Sequence, residues 1–153
     1  VRGGDRRYLL GRLFRPSPRN ELALALGSLV NAAIDVSDGL ASDLEHVLLA
    51  SGVNAVVELD TLPLSDAFRR TLPDTTLQWQ TALCCGDDYE LAMTLAPGNL
   101  NAAFAHARHC DVPLTRIGTI VARAPGSPHP EIDWRLPNGG RLPVTHGFTH
   151  FSP

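Results

Sequence analysis

The sequence predicts an α+β fold on two observations. Apolar segments of helix and strand length interleave along its 153 residues without a regular alternation. A strand–helix–strand stretch over residues 32–59 is followed much later by a hairpin signal at Asn138-Gly139-Gly140. The length suffices for one domain with its own core.

Residues 5–13 predict a short helix with Tyr8, Leu9, Leu10 and Leu13 clustered and Arg6, Arg7 and Arg12 solvating one face. Arg15-Pro16-Ser17-Pro18-Arg19 forces an extended segment, because proline fixes its own φ and restricts the residue before it. That segment reads as a linker, dividing residues 1–19 from a domain spanning 20–153. Asn20 is the expected cap of a helix over 21–29. Ala32–Val36 predicts a buried strand, which Ser37-Asp38-Gly39 breaks. Leu40–Ala50 is the clearest amphipathic helix: Leu40, Leu44, Val47 and Leu48 share a face, with Asp43 and Glu45 off it. Ser51-Gly52 ends it, and Asn54–Leu59 is a valine-rich strand, expected to run parallel to the first.

Two short helices, 65–72 and 75–84, flank Pro73. Gly86-Asp87-Asp88 predicts a turn, Tyr89–Leu95 a strand, 99–109 a helix and 114–122 a strand. Residues 131–136 and 141–144 form the hairpin arms, and 145–153 read as an irregular tail.

Composition excludes several function classes. All basic residues are arginine, so a phosphate loop of the lysine-bearing type and lysine Schiff-base chemistry are out. Residues 1–20 hold six arginines against Asp5, a charge of +5, which leaves −8 on the rest of a chain whose net charge is −3. Without interleaved aromatics or a reading motif, this asymmetry does not make a nucleic-acid arm. No apolar run has the length of a membrane span, and no signal-peptide pattern opens the chain, so a cytoplasmic protein without a membrane partner is expected. The one methionine is Met93, so Val1 is not an untouched translation start. Cys84, Cys85 and Cys110 lack disulfide or zinc spacing, and the adjacent pair reads as small buried side chains. No histidine pattern suits a metal, and no serine sits in a nucleophile elbow. Trp79 and Trp134 read as packing residues.

Two constellations could carry chemistry. In Ile34-Asp35-Val36-Ser37-Asp38-Gly39-Leu40, Asp35 sits near the carboxyl end of an apolar strand, where a buried carboxylate requires a partner or a cation. Ser37, Asp38 and Gly39 open the next helix, where free backbone N–H groups favour phosphate and adjacent carboxylates suit magnesium. Asp38 alone reads as an ordinary helix cap, and a strand-end aspartate such as Asp35 can simply bond to a neighbouring turn. In Gly86-Asp87-Asp88-Tyr89-Glu90-Leu91, strand alternation would put Asp88 and Glu90 on one face and Asp87 and Tyr89 on the other. Taken alone, this acidic cluster reads as a solvated acidic turn.

The ordered set Arg15-Pro-Ser-Pro-Arg19, Ala33-Ile-Asp-Val-Ser-Asp-Gly-Leu40, Leu62-Pro63, Gly86-Asp-Asp-Tyr-Glu-Leu91 and Gly147-Phe-Thr-His-Phe151 resembles the second half of the thiamine-monophosphate kinase family. The resemblance implies ATP- and magnesium-dependent phosphorylation of thiamine monophosphate to thiamine diphosphate by direct in-line transfer. It also implies a C-terminal α+β sandwich with a ferredoxin-like mixed sheet covered by helices, preceded by a domain that forms a homodimer and holds most nucleotide and metal ligands. Asp35 and Asp38 then match magnesium ligands, Ser37 an ATP contact, and Asp87 and Phe148 contacts to thiamine monophosphate. Such a fragment would be inactive alone. Alternatives are an ATP-dependent synthetase of the same superfamily, or a non-catalytic binding fragment. Two departures stand out: Asp87 replaces the family's glutamate, and Cys85 replaces a glycine.

Overall fold

The computed structural model describes residues 3–144. In chain order these form α1 (Gly3–Phe14), α2 (Asn20–Leu26), β1 (Val30–Asp35), α3 (Leu40–Ser51), β2 (Val53–Glu58), α4 (Asp66–Thr71), α5 (Thr75–Cys84), β3 (Leu91–Leu95), α6 (Leu100–His109), β4 (Gly118–Ala122) and β5 (Ile132–Arg135). The result is a mixed α+β arrangement of two small sheets and helices. β1 and β3 form an antiparallel pair, and β2 lies between antiparallel β4 and parallel β5.

The expected parallel pairing across the strand–helix–strand stretch is therefore corrected. β1 and β2 lie in different sheets. α3 packs against both strands, and β2 takes its partners from residues 118–122 and 132–135. The hairpin signal is real: Arg135 bridges antiparallel to Arg141, and the Leu142 N–H donates to the Trp134 carbonyl at 3.0 Å.

Two apolar clusters hold these layers. Ala41, Leu44 and Leu48 of α3 pack with Ala55 and Val57 of β2, Leu83 of α5, Trp134 and Leu142. Trp79 joins from the side, so both tryptophans are packing residues as expected. The second cluster joins Leu22 and Leu26 of α2 to Ala103 and Ala107 of α6, with Met93 and Leu95 of β3 against them. The 3.6-residue period explains why α3 buries Leu44, Val47 and Leu48 together. Gly52 closes that helix with φ 67°, a left-handed turn that glycine adopts without steric cost.

Local capping departs from the expectation. The Ser65 hydroxyl accepts from the Phe68 N–H at 3.2 Å, and the Asp74 carboxylate from the Leu77 N–H at 2.9 Å. Asn20, however, is the first helical residue rather than a cap, and Arg19 precedes it with its side chain committed elsewhere. α1 packs on α4, where Arg70 forks onto Asp5 at 2.7 and 3.1 Å. Its Tyr8, Leu13 and Phe14 remain exposed.

Candidate functional site

The two acidic segments, distant in sequence, meet through their backbones. The Val36 N–H donates to the Glu90 carbonyl at 2.8 Å, and the Tyr89 N–H returns a bond to Val36 at 2.9 Å. The Asp87 N–H donates to the Ser37 carbonyl at 2.9 Å. These bonds extend the β1–β3 ladder past its last regular pair, Asp35 opposite Leu91. Gly86 permits the approach, since a Cβ there would run into the Ser37 carbonyl oxygen. Gly39, at φ 105°, is less crowded but still tight: an added Cβ would stand 2.9 Å from the Leu83 carbonyl oxygen.

The first loop differs from expectation in two respects. Asp35 is exposed at the end of β1, because that strand alternates between half-buried and exposed positions. Burial is thus not what demands a partner for it. The Ser37 and Asp38 N–H groups are also not free to bind an anion. Both donate to one oxygen of Asp43, at 3.0 and 3.1 Å. Asp43, expected off the apolar face of α3, is only 3% exposed. It lies four residues after the Gly39 cap and reaches back past it, as the acid of a capping box does over a shorter span. An acid in the first turn after Ser-Asp-Gly was the available signal for it.

The second loop is strained. Asp87 and Tyr89 have φ of 66° and 51°, in the left-handed region that non-glycine residues seldom enter. This is why regular strand starts at Leu91 rather than Tyr89, and why simple alternation of residues 87–90 does not apply. Cys85, by contrast, has φ −92° and ψ 135°, an ordinary extended conformation, so cysteine in place of glycine needs no unusual backbone. It is exposed rather than buried, while Cys84 is half-buried with its thiol pushed up by burial and then by Cys85.

Glu90 is gripped by two arginines. Arg12 of α1 meets its Oε1 at 2.6 Å, and Arg19 forks onto both oxygens at 2.7 and 2.8 Å. Arg12 is thus a partner in an ion pair rather than simply solvated. Burial works to raise the Glu90 carboxyl. The Arg19 hydrogen bonds and the charges of Arg19 and Arg12 outweigh it and hold the group below its ordinary value. Asp88 moves the other way: partial burial, then the charges of Glu90 and Asp87, push it up against the opposing pull of Arg12.

The structure therefore brings Ser37 and Asp87 together, with Asp35 and Asp38 on the flanks of the same loop. Phe148 lies outside the described residues. Among the described residues no group of three His, Cys, Asp or Glu side chains is placed to hold a metal. The hard oxygen donors of Asp35 and Asp38 suit magnesium, which commonly takes one or two protein carboxylates together with phosphate oxygens. Two surface pockets, of about 250 and 610 Å³, border β5 and touch neither loop. No helix of the described residues is long and apolar enough to cross a membrane.

Residues 10–129 match the family model for the AIR synthase related protein, C-terminal domain. The chain is 45% identical over 123 residues to the thiamine-monophosphate kinase of Escherichia coli K12, covering 80% of this chain and 37% of that protein. A crystal structure of thiamine-monophosphate kinase from Stenotrophomonas maltophilia K279a superposes with a TM-score of 0.78 at 41% identity, over 87% of this chain and 40% of that one. AaThiL complexed with AMPPCP and TMP shares the fold, with a TM-score of 0.73 at 23% identity over 99% of this chain and 43% of that one. The chain thus spans about two fifths of the length of the relatives it matches.

Proposed function

The chain belongs to the AIR synthase related family through the C-terminal domain that residues 10–129 match, and from that membership we propose that it supplies one part of a thiamine-monophosphate kinase. The reaction is transfer of the γ-phosphoryl group of ATP to thiamine monophosphate, giving ADP and thiamine diphosphate, by direct in-line displacement. The observation that carries this reading is the junction of the two acidic loops, which sets Ser37 and Asp87 side by side on bonded backbones. The named kinases among its relatives support the choice of reaction.

The acceptor is already an anionic phosphate, so no strong general base is required, and positioning and charge neutralisation dominate. Magnesium, when bound, neutralises charge shared between the donor and acceptor phosphates. Asp35 and Asp38 hold that ion, and Ser37 contacts the nucleotide. Asp87 and Phe148 orient the thiamine monophosphate. Asp43 keeps the Ser37–Asp38 backbone in place, so the chain meets the nucleotide with side chains rather than with those two N–H groups. A ferredoxin-like arrangement of the sheets, a homodimer formed through a preceding domain, a cytoplasmic location and the absence of nucleic-acid or membrane partners belong to the same proposal. The fragment alone, short of the remaining ligands, is inactive.

The test is magnesium-dependent formation of thiamine diphosphate by the full-length protein. Asp35→Asn is expected to lower turnover by roughly a hundredfold with the fold intact. Near-normal turnover in that variant would remove its metal role. No conversion by a folded, ATP-binding protein would favour a synthetase of the same superfamily.

A further inference from the structure

Glu90 is the most heavily engaged acid of the second loop, and its partners lie far from it in sequence. Both its oxygens are taken by arginines, and those arginines come from α1 and from the end of the Arg15–Arg19 segment. The side chains are only partly exposed, at 30% for Arg12, 22% for Arg19 and 41% for Glu90. A forked arginine–carboxylate contact fixes direction as well as distance. The Glu90 backbone is meanwhile bonded to Val36, and the Tyr89 and Asp87 N–H groups to Val36 and Ser37. The two left-handed residues thus lie in a loop anchored by backbone bonds on one side and by the double arginine grip on the other. Strained conformations persist only where their surroundings over-determine them.

The geometry points to Glu90 as a positioning residue: clamped by Arg12 and Arg19, it ties α1 and the Arg15–Arg19 segment to the Gly86–Glu90 loop and holds Asp87 in its left-handed conformation for the acceptor. This rests on the kinase reading for the identity of the acceptor, but the latch itself does not. The charge of Arg12 also acts on Asp88, pulling against the burial that pushes its carboxyl up. Neutralising Glu90 leaves the arginines without their main partner and lets the loop relax toward ordinary φ values.

The experiment uses the full-length protein with Glu90→Gln and Arg19→Lys, which keep size or charge but lose part of the fork. Steady-state kinetics are expected to show KM for thiamine monophosphate raised roughly tenfold in Glu90→Gln and about threefold in Arg19→Lys. Turnover and KM for ATP should stay within about a factor of two. Amide exchange should quicken at Asp87 and Tyr89 while β2, β4 and β5 keep their protection. A fall in turnover at unchanged KM would place Glu90 in the chemistry and overturn the proposal. Unchanged kinetics and exchange, or exchange quickened throughout the chain, would overturn it equally. If Glu90→Gln does not fold, Arg19→Lys decides by the same readings. If the wild-type protein phosphorylates no thiamine monophosphate, the kinase reading fails, and the exchange measurement still decides the latch.

Discussion

The two acidic loops that meet at the candidate site are held in opposite ways. Residues 36–39 are fixed locally, by a buried carboxylate in the first turn of the helix that follows them. Residues 86–90 carry two left-handed residues and depend on arginines more than seventy positions away. The shapes of the two loops are therefore encoded in different places. The first is a property of a short stretch of sequence, and the second of the way distant elements dock.

The largest effect on this comparison should come from joining the loops badly. Gly86→Ala puts a methyl group into the Ser37 carbonyl oxygen, and neither backbone can yield without breaking bonds. A loss of about 3 kcal/mol in urea unfolding is expected. A loss below about 1 kcal/mol would mean that the loops separate easily.

Next comes Asp43→Ala, which removes the local support alone. The Ser37 and Asp38 N–H groups lose their acceptor, with an expected cost of about 2 kcal/mol in the same measurement. Asp43→Asn keeps one acceptor oxygen and should cost less. If Asp43→Ala also quickens exchange at Asp87 and Tyr89 as much as at Ser37, the two supports are not separate.

The smallest effect is the acid response of the second loop. Glu90 has a lowered folded-state pKa, so its contribution is present above its ordinary value of 4.5 and is lost as pH falls through the lower folded value. Asp88 has a raised one. The folded state takes up its proton more readily, which offsets part of that loss as pH falls from the raised folded value through the ordinary 3.8. Stability against pH should therefore fall less steeply on the acid side in Glu90→Gln than in the wild type. Parallel curves would show that the arginine grip does not stabilise the fold.

What the sequence made legible follows the same division. α3 could be read because its apolar residues repeat at the helical period. The caps at Ser65 and Asp74 went unread, although a cap acts on an N–H only three residues away. The candidate residues Asp35, Ser37, Asp38 and Asp87 were legible as types in a pattern. Their assembly was not, since it depends on β1 choosing β3 rather than β2. That choice is made by packing across the whole chain, and nothing in either strand states it. Asp43 was missed because a carboxylate on a helix is read as solvated unless the N–H groups it serves are known. Arg12 was missed as a partner of Glu90 because no local rule connects residues 78 positions apart.

The bond from Val36 to Glu90 encloses α3, β2, α4 and α5 in a single loop of chain. Closing such a loop carries an entropy cost that only non-local contacts can offset, which delays its formation relative to the helices inside it. During synthesis Arg12 and Arg19 emerge first and stand without their carboxylate until the intervening elements have been made. The junction of the two acidic loops is therefore a late event in assembly, completed only when both ends of that loop of chain have been drawn together.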